Sequence, residues 1–570
     1  MGPAGPAYRE NEIGQNKTDS GRNRQSLAIT CKQGQFGRRY LSRRQPLPLI
    51  KIKRLAWIAT FATLSGAALP AAAEVSFTDR SQALPLRQSY EGEWNHYVGG
   101  GVAVLDCNDD GLPDFFAAGG AAPSRLFVNT SGKSGDISFA EHPIASLSEV
   151  TGAYPIDIDG DDILDLVVLQ DGPNTLLRGE GQCNFTAAPT AWGFQAGSEW
   201  TTSFSATFEA GQSWPTLAFG NYVDETNPDG PFEACDKNYL LRPAARSFGT
   251  RIPLEPGFCA LSMLFSDWQR NGVPDLRVSN DRQYYVRNGR EQMWHMTPLA
   301  EYTEAEGWPV MKLWGMGIAS RDITGDGLPE VVLTSMGDQT LQLNMGKGVM
   351  KNAPYATGTY SSVPYNGDDG RASTGWHAEF GDINNDGRDD LFIAKGNVEQ
   401  MPSNAIHDPN NLLIQQADGS FVEKGGVTGV GTTERSRGAA VVDLNKDGLL
   451  DLLVVNRRAP LEIWQNTTAE TGHWLAIDLR DAGPNSRAIG AFVELRLPDG
   501  RIQTQEHTVG GGHASGEASP LHFGLGAAEQ VELRVIWPDG QTSDWARTAT
   551  NLILRVSRDA RPTLLLAEEP

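Results

Sequence analysis

Short apolar runs recur along the chain at a similar spacing. Residues 391–394 and 452–455 are typical, because each run is entirely apolar and each follows a polar loop that contains glycine. Runs of this length are too short for most helices, and they predict buried β-strands.

Each apolar run belongs to a longer repeating unit. A lead-in of glycine and small residues precedes the polar loop, as at 315–319, and a further strand follows the run, as at 340–344. Some units add a strand that opens with Ser-Phe, as at Ser420. The polar loops start at positions 106, 157, 221, 267, 322, 382 and 443, which gives intervals of 46 to 64 residues. Four short strands at such a period are typical of a β-propeller blade.

The polar loops carry oxygen side chains at fixed positions. In the loop that starts at Asp443, oxygen ligands stand at positions one, three, five and nine, with Gly448 at position six. Glycine permits the sharp reversal that a Cβ would obstruct. Oxygen ligands at this spacing converge on one hard cation, and Ca²⁺ takes such ligands in a flexible shell. The predicted cofactor is therefore Ca²⁺.

The same loop occurs in five strong copies. Their predicted metal ligands are Asp106, Asn108, Asp110, Asp114, Asp157, Asp159, Asp161, Asp165, Asp322, Thr324, Asp326, Glu330, Asp382, Asn384, Asp386, Asp390, Asp443, Asn445, Asp447 and Asp451. In the second copy Asp162 takes the place of glycine. An EF-hand is excluded because it needs a Glu at position twelve and flanking helices, whereas position twelve here is apolar in a strand-like run.

Two further copies are weaker. Asp267, Gln269, Asn271 and Asp275 form a less acidic loop, and a degenerate seventh copy is placed at 220–224. We expect the loops at Asp267 and Asp322 to be the least able to hold a cation, since they are the least acidic.

These units predict an all-β chain with a seven-bladed β-propeller at 74–467. The last unit lacks a Ser-Phe strand after Asn466, and residues 75–80 contain one, so they are predicted to close the last blade. The third strand of the fourth unit is placed at 283–288. Alternating runs and Pro-Asp-Gly turns predict a small C-terminal β-sandwich-like module at 472–557, with a tail at 558–570.

The N-terminal part is a targeting segment rather than a folded domain. Residues 1–50 are polar and aperiodic and are interpreted as a spurious or disordered extension. A basic start, an apolar stretch and Ala71 to Ala73 at 51–73 predict a signal peptide that is cleaved after Ala73. The product is expected to be secreted or periplasmic, with no stable membrane insertion after cleavage.

The net charge bears on the class of partner, and the cysteines bear on disulfide formation. The formal net charge is −22, which disfavours nucleic acid as a partner. Cleavage leaves Cys107, Cys183, Cys235 and Cys259. An even number in an exported chain is compatible with two disulfides, and four cysteines allow three pairings.

Two resemblances rest on these motifs. The acidic loops resemble the FG-GAP/VCBS repeats of integrin-α-type propellers, and this implies Ca²⁺ held in a blade hairpin. Residues 485–491, 509–515, 521–526 and 535–540 resemble the ASPIC/UnbV domain, although 513–516 depart from its usual aromatic-Ser-Gln pattern. The combination resembles the cartilage acidic protein 1-like family, which implies an architecture and Ca²⁺ binding but no particular reaction.

The sequence thus predicts a secreted Ca²⁺-binding propeller for extracellular or cell-envelope recognition or adhesion. Calcium is expected to be mainly structural, the partner is an unknown extracellular protein or glycan, and no catalytic residue is assigned. One alternative is an extracellular enzyme acting on polysaccharide or another polymer, with its site near His507 and His513 where the propeller meets the module. Another is a lectin that uses the tryptophan-rich region 186–312.

Overall fold

The computed structural model describes residues 74–228, 233–282, 286–367, 369–558 and 560–567. The predicted extension at 1–50 and the predicted signal peptide at 51–73 lie outside the described residues. Within these ranges the chain is nearly all β: its single α-helix is α1 (Gly425–Thr428), and short 3₁₀ turns complete the helical content. No helix in the described part is long and apolar enough to cross a membrane.

The N-terminal strands form a long series of hairpins. They are β1 (Phe77–Asp79), β2 (Val102–Leu105), β3 (Asp114–Ala117), β4 (Arg125–Asn129), β5 (Phe139–His142), β6 (Val150–Ile156), β7 (Asp165–Gln170), β8 (Thr175–Gly179), β9 (Phe185–Ala187), β10 (Thr201–Thr207), β11 (Thr216–Asn221), β12 (Asn238–Leu241), β13 (Ile252–Leu254), β14 (Ala260–Ser266), β15 (Asp275–Asn280), β16 (Gln292–Met296), β17 (Leu299–Glu301), β18 (Gly315–Arg321), β19 (Glu330–Ser335), β20 (Thr340–Asn344), β21 (Met350–Asn352), β22 (Gly375–Gly381), β23 (Asp390–Lys395), β24 (Asn411–Gln415), β25 (Phe421–Glu423), β26 (Ser436–Val442), β27 (Asp451–Asn456) and β28 (Glu462–Asn466).

These strands make seven antiparallel sheets among the described residues. Six follow chain order: β2 to β5, β6 to β9, β10 to β13, β14 to β17, β18 to β21 and β22 to β25. The first strand of each sheet contacts the first strand of the next, and β26 returns to contact β2. The contacts therefore close a ring, and the fold is a β-propeller.

The last sheet joins the two ends of this ring. Its order is β1-β28-β27-β26, and Phe77 pairs with Asn466 while Thr78 pairs with Gln465. The Arg80 N–H donates to the Ile463 carbonyl at 2.7 Å. Strand β1 thus covers the outer edge of β28, which would otherwise present unpaired backbone groups.

The C-terminal strands form two further sheets. The strands are β29 (His473–Arg480), β30 (Phe492–Arg496), β31 (Ile502–Glu506), β32 (Gly516–Glu517), β33 (Leu521–Gly526), β34 (Gln530–Ile536), β35 (Ala546–Ala549), β36 (Leu552–Ser557) and β37 (Thr563–Ala567). The sheets are ordered β33-β29-β36-β37 and β31-β30-β34-β35. A core that includes Leu475, Val493 and Trp537 lies between them. Strand β32 instead joins β2 of the propeller.

Three predicted features are corrected by the observed strands. The degenerate copy at 220–224 is wrong, because Asn221 ends β11 and the loop equivalent to the acidic loops is 208–216. The third strand predicted at 283–288 is β16 instead, nearer the C-terminus. The predicted tail at 558–570 contains β37, which pairs with β36.

Two disulfides tie neighbouring parts of the propeller. Cys107 bonds Cys183, which links the loop after β2 to the second sheet, and Cys235 bonds Cys259. The pairing that the sequence left open among three arrangements is therefore fixed by the fold.

Candidate metal centres and the propeller axis

Six acidic loops occupy equivalent places in six sheets of the described chain. We number them by sheet: loop 1 (106–114), loop 2 (157–165), loop 4 (267–275), loop 5 (322–330), loop 6 (382–390) and loop 7 (443–451). Each connects the first strand of its sheet to the second. Equivalent connections lie at the same end of a propeller, so these loops form one acidic end. All predicted metal ligands lie in loops 1, 2, 5, 6 and 7.

Loop 3 (208–216) lacks this chemistry. Position one is Phe208 and position nine is Thr216. Glu209 of this loop instead accepts hydrogen bonds from the Arg242 guanidinium at 2.8 and 2.9 Å. An internal ion pair therefore stands where the other loops carry converging oxygens.

The first aspartate of each loop fixes the backbone reversal. In loop 7, Asp443 Oδ2 accepts the Gly448 N–H at 2.8 Å, and in loop 1 Asp106 Oδ2 accepts the Gly111 N–H at 2.7 Å. Gly448 has a φ of +83°, and a Cβ there would meet the Trp474 ring at 2.0 Å. Glycine at position six of loop 7 is thus required by backbone conformation and by close approach of the C-terminal module.

The ninth residue ties its loop to the third strand. Asp451 accepts the Leu444 N–H at 2.8 Å and the Asn466 N–H at 2.7 Å. Asp114 accepts the Cys107 N–H at 3.0 Å and the Asn129 N–H at 2.8 Å. The ninth carboxylate is therefore a structural link as well as a candidate ligand.

Three buried carboxylate oxygens in these loops have no hydrogen-bond partner among the described residues. They are Asp106 Oδ1, Asp159 Oδ1 and Asp386 Oδ1. Burying a carboxylate oxygen without a partner is costly. A hard cation would supply the missing interaction, and oxygen donors of this kind are what Ca²⁺ takes. The residues present therefore fit a bound calcium ion.

The electrostatics of the loops lead to the same expectation. Burial, and then the charge of Asp447, raise the pKa of Asp443 to about 7. Burial, and then the charge of Asp322, raise the pKa of Glu330 to about 7. In loops 5 and 7 like charges thus crowd where water is scarce, and a divalent cation would relieve this repulsion.

Loop 2 brings three carboxylates close together. One oxygen each of Asp157, Asp159 and Asp165 lie within 4.8 Å of one another. The Arg178 guanidinium contacts Asp159 at 2.9 Å and also pairs with Asp161. Loop 4 differs, since its Asp275 accepts the Tyr302 hydroxyl at 2.5 Å.

The propeller axis is filled by the chain itself. Residues 509–517, which we call the axial segment, run from β31 of the module through β32. The Gly511 N–H donates to the Met263 carbonyl of β14 at 2.7 Å, and the Gly512 N–H donates to the Ile318 carbonyl of β18 at 2.7 Å. The segment contacts the first strands of all seven sheets through the following pairs: Val102 with Ser515, Ala153 with Ala514, Ala206 with Val509, Met263 with Gly511, Ile318 with Gly512, His377 with His513, and Gly438 with Ser515.

His513 is a structural residue of this segment. It is fully buried, its Nε2 accepts the Gly99 N–H at 3.1 Å, and its Nδ1 lies 3.2 Å from the Met316 carbonyl. The proton therefore belongs on Nδ1, which donates to Met316. Burial lowers the pKa of His513 to about 3, so the ring is neutral. A neutral histidine held on both nitrogens cannot act as the acid or base that the enzyme alternative places at this position.

A cavity of about 230 Å³ lies where the module meets the propeller. Glu379 of β22 and Glu517 of β32 line it, together with Glu506 and His507. His377 Nδ1 accepts the His513 N–H, so His377 Nε2 donates to Glu379 at 3.1 Å. Burial raises the pKa of Glu379 to about 7, and burial and the Glu379 charge raise that of Glu517 well above its usual value. Glu517 therefore keeps its proton and donates it to Glu379. The sequence did not suggest Glu379, because the topology alone brings it to Glu517.

The tryptophans of region 186–312 are buried. Five that the lectin alternative depends on, Trp192, Trp200, Trp214, Trp268 and Trp294, are each at most 7% exposed. Buried rings pack in the propeller core and cannot stack on a sugar. The prediction that these tryptophans form a sugar-binding surface is therefore wrong.

Comparisons with known proteins match both parts of the chain. The sequence model of the ASPIC and UnbV family matches residues 481–563. The model of the FG-GAP-like repeat matches residues 106–168 and 322–393. The resemblance drawn from the motifs is confirmed: this chain carries FG-GAP-like repeats followed by an ASPIC and UnbV domain.

Curated relatives match over a limited stretch. Cartilage acidic protein 1 of Xenopus tropicalis is 30% identical over 128 residues, which is 22% of this chain and 20% of the relative. The Mus musculus protein is 29% identical over 110 residues, which is 19% of this chain and 17% of the relative. The chain thus spans about a fifth of the length of these relatives.

Among solved structures, the BBS1N domain in complex with ARL6DN has a TM-score of 0.40 at 10% identity and covers 70% of this chain and 99% of that one. The extracellular domain of a one-component system from B. thetaiotaomicron has a TM-score of 0.38 at 9% identity, covering 83% of this chain and 57% of that one.

Proposed function

We propose that this chain, with its FG-GAP-like repeats and its ASPIC and UnbV domain, is an extracellular calcium-binding β-propeller that serves recognition or adhesion. The observation that carries the proposal is the acidic end. There, loops with the same oxygen spacing recur sheet after sheet, and three buried carboxylate oxygens have no hydrogen-bond partner in the part of the chain that the structure describes.

Calcium in these loops is mainly structural. Each loop joins the two innermost strands of a sheet. In loops 1, 2, 6 and 7 the ninth residue also accepts a backbone N–H of the third strand. A cation bound to positions one, three, five and nine would fix all three strands at one end of the sheet. It would also offset the crowded negative charge of the loops.

An extracellular or cell-envelope location is supported by two kinds of observation. Disulfides such as Cys107–Cys183 persist in oxidising compartments and are rare in the cytosol. The signal-like sequence at 51–73 would direct the chain out of the cytosol, with cleavage after Ala73.

The partner is an extracellular protein or glycan that binds the outer surface. Propellers commonly bind ligands on a loop face or in the central channel. Here the axial segment fills the channel, and His513 within it is fully buried. Binding is therefore assigned to loops and sheet edges away from the axis.

The proposal is tested by thermal unfolding of the purified full chain in chelator and after Ca²⁺ is restored, with a direct count of bound metal. We expect a reversible rise in Tm with Ca²⁺. We also expect four to six bound ions, because there are six acidic loops and the two least acidic are the least able to hold a cation. Absence of bound metal, or a Tm that chelator leaves unchanged, would overturn the calcium proposal.

A second candidate function is acid–base hydrolysis in the junction cavity. It is favoured by the hydrogen-bonded carboxyls of Glu379 and Glu517. A glycosidase pair requires carboxyl groups about 5–9.5 Å apart, with room for sugar or water between them. A pair that shares one proton is closer than that and resembles a water-activating dyad. Loss of a hydrolytic activity in Glu517→Gln, with Tm retained, would support it, and the absence of hydrolysis across a panel of polysaccharides and peptides would reject it.

A further inference from the structure

Loop 2 departs from the other strong loops at position six. Asp162 stands where they have glycine, and its φ is +67°. A non-glycine residue pays a conformational penalty in this region. Its carboxylate is directed away from the ligand set, towards the C-terminal module.

The module supplies positively charged groups at this point. Asp162 Oδ1 lies 3.0 Å from Arg487 Nε and 3.2 Å from Arg480 Nε. Arg487 also donates to the Asp162 carbonyl. The same stretch of the module brings the buried Ser486 hydroxyl to Asp157, and this hydroxyl donates to Asp157 Oδ2.

From these contacts we propose that loop 2 is a cation-dependent clamp on the C-terminal module. A cation held by Asp157, Asp159, Asp161 and Asp165 and the docking of residues 480–487 stabilise one another. This inference rests on the proposed function, because it takes Ca²⁺ as the ion bound by the loop.

The clamp follows from the division of roles within the loop. The residues at positions one, three, five and nine would hold the cation, whereas the Asp162 carboxylate at position six pairs with the arginines. Without the ion, neighbouring carboxylates repel one another, and only Arg178 among the described residues pairs with both Asp159 and Asp161. With the ion bound, the reversal at Asp162 is fixed and its carboxylate is held towards the module.

Coupling of this kind must be reciprocal. If the ion strengthens docking of the module, docking must strengthen binding of the ion by the same factor. Ser486 provides the direct link, since its hydroxyl contacts a ligand of the ion rather than a neighbour of one. Ser486, Arg480 and Arg487 are thus positioning residues that act through loop 2.

Loop 5 provides an internal contrast. Asp322 accepts the Gly325, Asp326 and Gly327 N–H groups at 2.8, 3.2 and 2.8 Å, so the loop has the same internal bonding. The nearest module atom to a Cβ built at Gly325 is the Ile502 carbonyl oxygen, at 3.9 Å. A cation in loop 5 should therefore leave docking of the 480–487 stretch unaffected.

The test compares hydrogen exchange of amides 481–489 in the full chain with Ca²⁺ and with chelator. In the natural chain we expect Ca²⁺ to slow exchange by roughly 5- to 150-fold, the usual range of coupling between two sites. In Asp162→Gly this slowing should shrink, because the carboxylate that pairs with Arg480 and Arg487 is lost while the Ser486 contact with Asp157 remains. Ca²⁺ should still raise Tm, because the metal ligands remain and glycine tolerates the backbone conformation. Asp418→Gly, in an exposed turn outside the acidic loops, is the matched control and should behave as the natural chain.

A second variant, in the module rather than in loop 2, tests the clamp without introducing a glycine. Ser486→Ala with Arg487→Ala should weaken Ca²⁺ binding at one site, measured by titration calorimetry, whereas Arg547→Ala, at an exposed position of the module, should not. The same Ca²⁺-dependent protection in Asp162→Gly as in the natural chain would overturn the clamp and leave the proposed function intact. Absence of bound Ca²⁺ in every variant, including the natural chain, would overturn both.

Discussion

The imidazole of His513 accepts the backbone N–H of Gly99 at 3.1 Å, although 414 residues separate them. Gly99 precedes the first strand of the first sheet, and His513 lies in the axial segment that the C-terminal module sends into the ring. The contact therefore joins the beginning of the propeller to the module. It places the axial segment of the module in the propeller's interior.

This relationship predicts that His513 is needed for stability. Replacing His513 by Ala leaves the buried Gly99 N–H and Met316 carbonyl without their partners. Leaving a buried polar group unsatisfied costs about 1–3 kcal/mol, and the lost ring packing against Trp376 adds to it. We expect the urea midpoint of the full chain to fall accordingly.

The control for this prediction is His407→Ala, since His407 is exposed. It should leave the midpoint within error of the natural chain. An equal midpoint for His513→Ala would show that the axial contacts contribute little to stability.

Because each acidic loop is expected to hold its own ion, removing a ligand from one loop should remove one ion. Asp443→Ala removes the first ligand of loop 7 and the acceptor of the Gly448 N–H. We expect the metal count to fall by one ion and the Ca²⁺-dependent part of the stability to shrink. One site is worth about 2.7 kcal/mol when free Ca²⁺ is 100 times its Kd. Asp418→Ala, outside the loops, should keep the full metal count.

The regular part of the fold could be predicted because each unit repeats the same short motif of an acidic loop followed by an apolar strand. Asp443, Gly448 and Asp451 give a reversal, and the apolar run after them can only be buried as a strand. These relationships lie within one short segment, so the printed sequence contains them. The family model of the FG-GAP-like repeat matches 106–168 and 322–393, the ranges that contain loops 1, 2, 5 and 6.

The third unit could not be placed from its sequence because it lacks that chemistry. Phe208 and Thr216 stand where the other units have carboxylates, and the predicted copy fell at Asn221 instead. The sheet is held by a core that includes Trp214 and Phe204, and its loop by the pair of Glu209 with Arg242. Apolar contacts of this kind occur at no fixed sequence spacing. The repeat pattern therefore could not locate the third unit.

The role of the glycine run depends on contacts between distant segments. A Cβ at Gly512 would meet His377 Cε1 at 2.4 Å, so glycine is required by a neighbour that the local sequence does not reveal. The sequence identified His507 and His513 as candidate chemistry. Only the topology shows that His513 is enclosed and that Glu379 and Glu517 are the groups that meet in the cavity.

Removing strand β1 is expected to lower the stability of the whole propeller. Deleting residues 74–82 removes β1 and exposes β28, together with the core face that Phe77 covers. Full burial of such a ring is worth about 1.5–3 kcal/mol, and the half-buried Phe77 contributes less than that. Each lost backbone hydrogen bond adds about 0.5–1.5 kcal/mol. We expect a lower urea midpoint for the whole propeller transition. Glu74→Ala, at an exposed position, is the control, and an unchanged midpoint in the deletion would show that β1 does not stabilise the ring.

The pair of Glu379 and Glu517 predicts that stability falls as the pH rises. Both carboxyls hold protons more tightly in the folded chain, since burial raises the pKa of Glu379 to about 7 and that of Glu517 well above its usual value. The folded chain therefore binds more protons than the unfolded chain above the ordinary glutamate pKa of about 4.5. The stability that Glu379 contributes is fully present below that pH and is lost as the pH rises to about 7, by about 1.4 kcal/mol per pH unit for each proton, and Glu517 acts in the same direction.

The groups that face this pair do not reverse the sign of that dependence. Arg321 lowers the pKa of Glu379, and His377 and Ser519 lower that of Glu517, but burial outweighs them. Glu517→Gln keeps a hydrogen-bond donor towards Glu379 and cannot ionise, so its unfolding free energy, measured in urea from pH 5 to 9 in chelator, should decline less steeply than that of the natural chain. Glu529→Gln, on an exposed turn of the module, is the matched control and should retain the natural slope. If Glu517→Gln and the natural chain lose stability in parallel, the proton held between propeller and module does not contribute to their association.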